Sequence, residues 1–175
     1  DYERKGFNFP KYSDVNSYII GFNMIDPVLG GGDTPEGRAR ARKLRQAITI
    51  AIDWDEYSKI FPKKGGETAM SPLPQGIPGS REGTPEGINP LTHKLADGKF
   101  VRRPIEDAKK LLAEAGYPNG FETQLDCPNN RYINDEEICI ALAGMWAQLK
   151  IKVKVSAQPR ATYFPKIEKQ DTSLY

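Results

Sequence analysis

Histidine is nearly missing from this chain: His93 is the only one in 175 residues. Cysteine is scarce as well, with Cys127 and Cys139 alone. A tetrahedral metal centre needs four closely spaced ligands, and these three residues do not supply them. No metal site and no cofactor are therefore expected. No stretch approaches the roughly 18 consecutive apolar residues needed to cross a bilayer. The opening DYERKGFNFP lacks the basic start and apolar run of a signal peptide. Charge of one sign is also lacking, since 25 basic and 23 acidic side chains leave +2. That argues against a nucleic-acid partner, because such binders concentrate a large positive excess on one face. The motifs GxSxG and HExxH do not occur, so no catalytic residue can be named.

What is present suffices for one domain with a real core: at this length folding removes roughly 70% of the chain's surface from water. SYIIGFNM (17–24) is rich in β-branched and aromatic side chains and reads as a strand, followed by the loop DPVLGGGDTPEG. Thr34 and Pro35 open a helix over about 36–52. On it Leu44, Ala47, Ile48 and Ala51 share one face, and Arg38, Arg42 and Arg45 lie elsewhere around it. DEYSKIF suggests a short second helix. Residues 62–100 are rich in proline and glycine with hardly any periodicity, and are expected to form a long irregular loop. Order returns with RPIEDAKKLLAEAGYPNG, where Pro104 starts a helix, Ile105, Ala108, Leu111, Leu112 and Ala115 are its buried stripe, and Gly116 is its left-handed cap. FETQLD (121–126) alternates as a strand. A helix follows near Asn134, with Glu137 placed for a capping box and Ile138, Ala141, Leu142, Met145, Trp146 and Leu149 on its buried face. IKVKVSA (151–157) is the next strand. Strand, helix, strand with short connections predicts a parallel, right-handed βαβ crossover. The two cysteines then stand at a strand end and in the second turn of a helix. They are free thiols in a reducing compartment, and a disulfide is open to them in an exported chain.

Several constellations invite chemistry. LGGGDTPEG has a glycine cluster before a helix but lacks the GK[ST] ending of a phosphate loop, so a turn is the better reading. GRARARKLRQA is basic, yet its cations spread around the helix without interleaved aromatics, which favours a solvated or domain-facing helix over a nucleic-acid face. Asp53 and Asp55 could pair as acid and base in a free-standing α/β enzyme or regulatory domain, although carboxylates at a helix start more often cap it. The loop CPNNRY leaves the carboxyl end of a strand just before a helix, where open α/β sheets collect ligands. Arg131 stands there with Tyr132. A guanidinium matches a carboxylate in a bidentate fork, and the competing role for Arg131 is an ion pair with Asp135 or Glu136.

In order along the chain, YIIGFN, KLRQAITIAID, SPLPQGIPG, DAKKLLAEAGYPNGF and NNRYINDEEICIALAGMWAQLKIKVKV, followed by PRATYFPKIEKQDTSLY, resemble the family 5 extracellular solute-binding proteins of ABC importers, which include dipeptide and oligopeptide binders. Lys150 stands where the family usually has glycine, and GGGDTPEGRARA is longer than the usual approach to its helix. The resemblance implies an α/β lobe of periplasmic binding protein type (type II, peptide-binding class), with a mixed, partly parallel sheet flanked by helices. It implies that residues 1–175 are a single partial domain, most of one lobe of a larger two-lobed protein, with 62–100 a loop wrapping it and PLPQG near the cleft. By the same resemblance the protein is a binder, not an enzyme. Its partners are a small peptide or similar solute, the remaining lobe and the ABC permease. It is periplasmic or a lipoprotein outside the cell, exported by a signal peptide not in this stretch. The ligand residues the resemblance carries over are Arg131 and Tyr132, with Asn130 and Asn23 beside them.

Overall fold

Thr34 begins the first helix as its neighbours demand: its Oγ1 accepts the Gly37 amide at 3.1 Å, and Pro35 follows with no amide to leave unpaired. The computed structural model of the chain describes residues 3–8, 17–60, 69, 71–74, 76–81, 84 and 87–175. Within them the chain forms two compact units, Asp1–Tyr18 with Thr68–Asn89 and Ile19–Glu67 with Pro90–Tyr175. The smaller holds a 3-10 turn at Glu3–Lys5 and a second turn in which the Ser80 hydroxyl donates to the Leu73 carbonyl at 2.9 Å. PLPQG falls in this unit, and its Gln75 lies outside the described residues.

The larger unit carries helices α1 (Pro35–Ala51), α2 (Trp54–Ile60) and α3 (Ile105–Glu114), the hairpin strands β1 (His93–Ala96) and β2 (Lys99–Arg102), and then β3 (Glu122–Pro128), α4 (Asp135–Ala147), β4 (Lys152–Gln158) and α5 (Arg160–Glu168). Its core is Leu44, Ala47, Ile48 and Ala51 of α1, Ala108 and Leu112 of α3, and Ile138, Leu142, Met145 and Trp146 of α4, closed over Leu125 and Cys127. The fully buried Trp146 donates its indole N–H to the Ile48 carbonyl at 3.0 Å, tying α4 to α1.

β3 and β4 pair in parallel, Leu125 opposite Val155, as the βαβ pattern requires. Their neighbour on the other side of β3 is Leu174, whose amide donates to the Gln124 carbonyl and whose carbonyl accepts the Asp126 amide. Phe22 in turn bridges Leu174 in antiparallel sense. The spatial order is β4, β3, residue 174, residue 22, a mixed sheet. The expected strand over 17–24 is thus reduced to a bridge at Phe22, because only residues 21–23 find backbone partners, in 173–175.

The irregular stretch expected up to residue 100 ends earlier. Asp97 and Gly98, both at positive φ, make the two-residue turn of the β1–β2 hairpin. Asp-Gly is the combination that such a turn selects, because both central residues must be left-handed. Pro104 sits one place before the first helical residue of α3, as its N-cap. The Asn134 to Glu137 capping box is also replaced: Asn134 adopts φ 58 and its side chain caps nothing.

Candidate functional site

The connections leaving β3 and β4 run to opposite faces of the sheet. Side chains alternate along β3, so Cys127 points to α4, to whose Cys139 it is joined by a disulfide. Asp126 points the other way, to Lys166 of α5 at 2.6 Å. When adjacent parallel strands send their exit loops to opposite faces, a crevice opens between their carboxyl ends. By that rule the candidate crevice is the rim that Asn129–Tyr132 and Gln158–Arg160 form at the carboxyl ends of β3 and β4.

The crevice is built by hydrogen bonds that leave its charged tips uncommitted. The Asn129 amide donates to the Gln158 carbonyl at 2.9 Å, and the Arg160 amide donates to Asn130 Oδ1 at 2.8 Å, so the two loops are stitched together. Buried Asp135 accepts the amides of Arg131 at 2.9 Å, Tyr132 at 3.1 Å and Glu136 at 3.0 Å. Its carboxylate therefore binds the backbone of Arg131. The guanidinium of Arg131 is exposed and lies 4.7 Å from the centre of the Tyr132 ring. Among the described residues no carboxylate comes within ion-pair distance of it.

Below the rim lies Asp126, buried beside two helpers and one cation. Gln124 donates to its Oδ2 at 2.8 Å, and Gln158 and Lys166 donate to its Oδ1 at 3.2 and 2.6 Å. Burial by itself pushes this carboxyl up, but hydrogen bonds from Gln124, Lys166 and Thr172, with the charge of Lys166, outweigh it and hold the carboxyl below its ordinary value. Tyr163, on the same helix as Lys166, packs edge-on to Phe164 at 5.1 Å. Its hydroxyl is pushed up to about 12, first by burial and then by Tyr132, Asp126 and Tyr175. Tyr132 and Tyr175, both about two-fifths exposed, stand at the surface.

The other expected residues have structural work. Asn23 is buried, its amide donating to the carbonyls of Gln170 and Thr172 at 2.9 and 2.6 Å and its Oδ1 accepting the Ile25 amide. Asn130 anchors the start of α5. Asp53 caps α2 through the Glu56 amide at 2.9 Å and pairs with Arg102 at 2.8 Å, while the side chain of Asp55 lies outside those described. Sequence reasoning passed over Asp126, Lys166, Tyr163 and exposed Arg160. Asp126 had a signal, a carboxylate inside an apolar strand between Leu125 and Cys127. Among the described residues no cluster of three metal-ligating side chains forms and no helix is long and apolar enough to cross a membrane.

Comparison with known proteins adds independent findings. The family model described as bacterial extracellular solute-binding proteins, family 5 Middle, matches residues 1–175. The chain is 31% identical over 115 residues to the glutathione-binding protein GsiB of Pectobacterium atrosepticum, covering 66% of this chain and 19% of that protein. Among solved structures it resembles AgaA in complex with agropinic acid from A. tumefacien R10, with a TM-score of 0.67 and 25% identity over 89% of this chain and 27% of that one. It also shares the fold of DppA from Helicobacter pylori in complex with the peptide STSA, with a TM-score of 0.65 and 20% identity over 89% of this chain and 25% of that one. The chain spans less than a third of the length of each of these relatives.

Proposed function

The chain belongs to the bacterial extracellular solute-binding proteins of family 5, and from that premise we propose that the crevice at the ends of β3 and β4 is one wall of a cleft that closes on a small peptide or similar solute. In this reading residues 1–175 supply most of one lobe, a second lobe closes the cleft, and the loaded protein delivers its solute to an ABC permease from the periplasm or from a lipid-tethered position outside the cell. The protein binds and does not catalyse. The fold is that of the peptide-binding class of periplasmic binding proteins, and the family's description is of binding proteins.

The observation that carries the proposal is Arg131. Its backbone is fixed by a buried carboxylate while its guanidinium stands exposed beside an aromatic ring, without an acidic partner among the described residues. A cation so placed is prepared for an incoming carboxylate, the group common to glutathione, a peptide chain end and agropinic acid. Tyr132 supplies a flat surface for the aliphatic part of the ligand, while Asn130 and Asn23 hold the loop and the 170–174 segment in position. A charged hydrogen bond of this kind contributes about 1.5–3 kcal/mol. Calorimetry on the intact protein that carries this chain is therefore expected to show Arg131→Ala weakening its acidic solute by roughly 10- to 150-fold. Unchanged affinity would leave Arg131 without a ligand role.

A further inference from the structure

The glycine-rich loop and the arginines after it are not used by the crevice, and the fold brings them together. Arg38, Arg42 and Arg45 fall at i, i+4 and i+7 and so share one side of α1. Gly31, at φ +81, rests so tightly on the start of α1 that a Cβ there would lie 2.2 Å from the Gly37 carbonyl oxygen. The loop is held against that side of the helix by guanidinium hydrogen bonds from Arg45 to the Leu29 carbonyl and from Arg38 to the Asp33 carbonyl. Both are bonds to neutral oxygens, so neither cation is neutralised. Arg42, between them, is exposed, and its charge is felt at Arg45, whose pKa is lowered first by burial and then by Arg42. The nearest carboxylates in sequence are Asp33 and Glu36. Among the described residues neither they nor any other carboxylate pairs with the three arginines.

Three guanidiniums along two turns of helix repel one another across about one Debye length. The fold holds two of them in place through the loop carbonyls, and no carboxylate among the described residues pairs with them. An anion bearing several oxygens relieves the repulsion and can take more than one fork at once. We propose that the side of α1 formed by Arg38, Arg42 and Arg45 is an anion site, separate from the crevice, that takes a phosphoryl group carried by a free polyphosphate or by an anionic lipid headgroup. Arg42 is its central contact, and Arg38 and Arg45 flank it.

The test measures two probes on the intact protein that carries this chain: inorganic pyrophosphate by titration calorimetry and phosphatidylglycerol vesicles by co-sedimentation, with phosphatidylcholine vesicles as reference. Arg42→Gln removes the charge of an exposed side chain and is expected to weaken binding about tenfold or more. Arg40→Gln removes the same charge from an exposed position off that side of the helix and is expected to change binding less than twofold. Pyrophosphate binding that is sensitive to Arg42 supports a free phosphoryl ligand, and vesicle binding alone with that sensitivity supports a lipid headgroup. Equal losses in the two variants would reduce the effect to diffuse charge and overturn the site, as would failure to bind either probe at low salt.

Discussion

The buried carboxylate of Asp126 and the ammonium of Lys166 meet at 2.6 Å beneath the crevice, joining the central strand of the sheet to α5. Removing one partner strands the other. Lys166 keeps some exposure, so the full penalty for an orphaned buried charge is discounted, and Asp126→Ala is expected to cost about 2–3 kcal/mol in urea melts at neutral pH. The sign of the pH dependence follows from the carboxyl being held below its ordinary 3.8. Its stabilisation is whole well above that value and is lost as pH falls through it toward the lower folded value. In Asp126→Ala the stability curve between pH 5 and pH 2 should be flatter than in the parent, and an equally steep curve would show that the pair is not the source.

Asp135 gathers three backbone amides, two of them in the loop that presents Arg131 and Tyr132. Asp135→Ala leaves those donors without their buried acceptor, at a cost of about 1–3 kcal/mol. The amides of Arg131 and Tyr132 should then exchange with solvent deuterium at least tenfold faster. Protection equal to the parent's would show that the loop is held by something else.

The disulfide between Cys127 and Cys139 joins residues at a sequence separation of 12. Chain-entropy reasoning gives such a closure about 3 kcal/mol. Chemical denaturation with and without dithiothreitol, or of the Cys127→Ser, Cys139→Ser double variant, should show a loss of that order. A loss under 0.5 kcal/mol would mean that reduction relieves strain as large as the entropy it restores.

Lys150 occupies the left-handed region at φ 59, where its resemblance to the family would place glycine. An L side chain there costs about 1–2 kcal/mol, partly offset by the greater freedom of glycine in the unfolded chain. Lys150→Gly should therefore stabilise by about 0.5–1 kcal/mol. Gly120→Ala should do the reverse, since a Cβ at that position would lie 2.0 Å from the Lys150 carbonyl oxygen. Thermal melts of the two variants should move in opposite directions.

Local pattern was enough to read α1, α3, α4, β3 and β4, because each carries its own periodicity and stop signals: Thr34 and Pro35 before α1, Gly116 after α3, and alternation in IKVKV. Asp97-Gly98 was also legible and was passed over because the proline-rich stretch before it hid the change of pattern. The placement of Arg131 at a strand end could be argued from order alone. Which acid would answer it could not. Sequence distance suggested Asp135 or Glu136, whereas the tertiary structure turns the Asp135 carboxylate inward onto amides and leaves the guanidinium to solvent.

By itself, then, the sequence determined α1, α3, α4, β3, β4 and the parallel crossover, since these follow from hydrophobic period and turn chemistry within a few residues of each position. Only the tertiary structure decided that Leu174 fills the sheet beside β3, that Asp126 meets Lys166, and that Arg38 and Arg45 draw in the glycine loop. Each of these brings together groups whose partners are chosen by burial and by the need to pair polar atoms out of water. No local pattern encodes that choice.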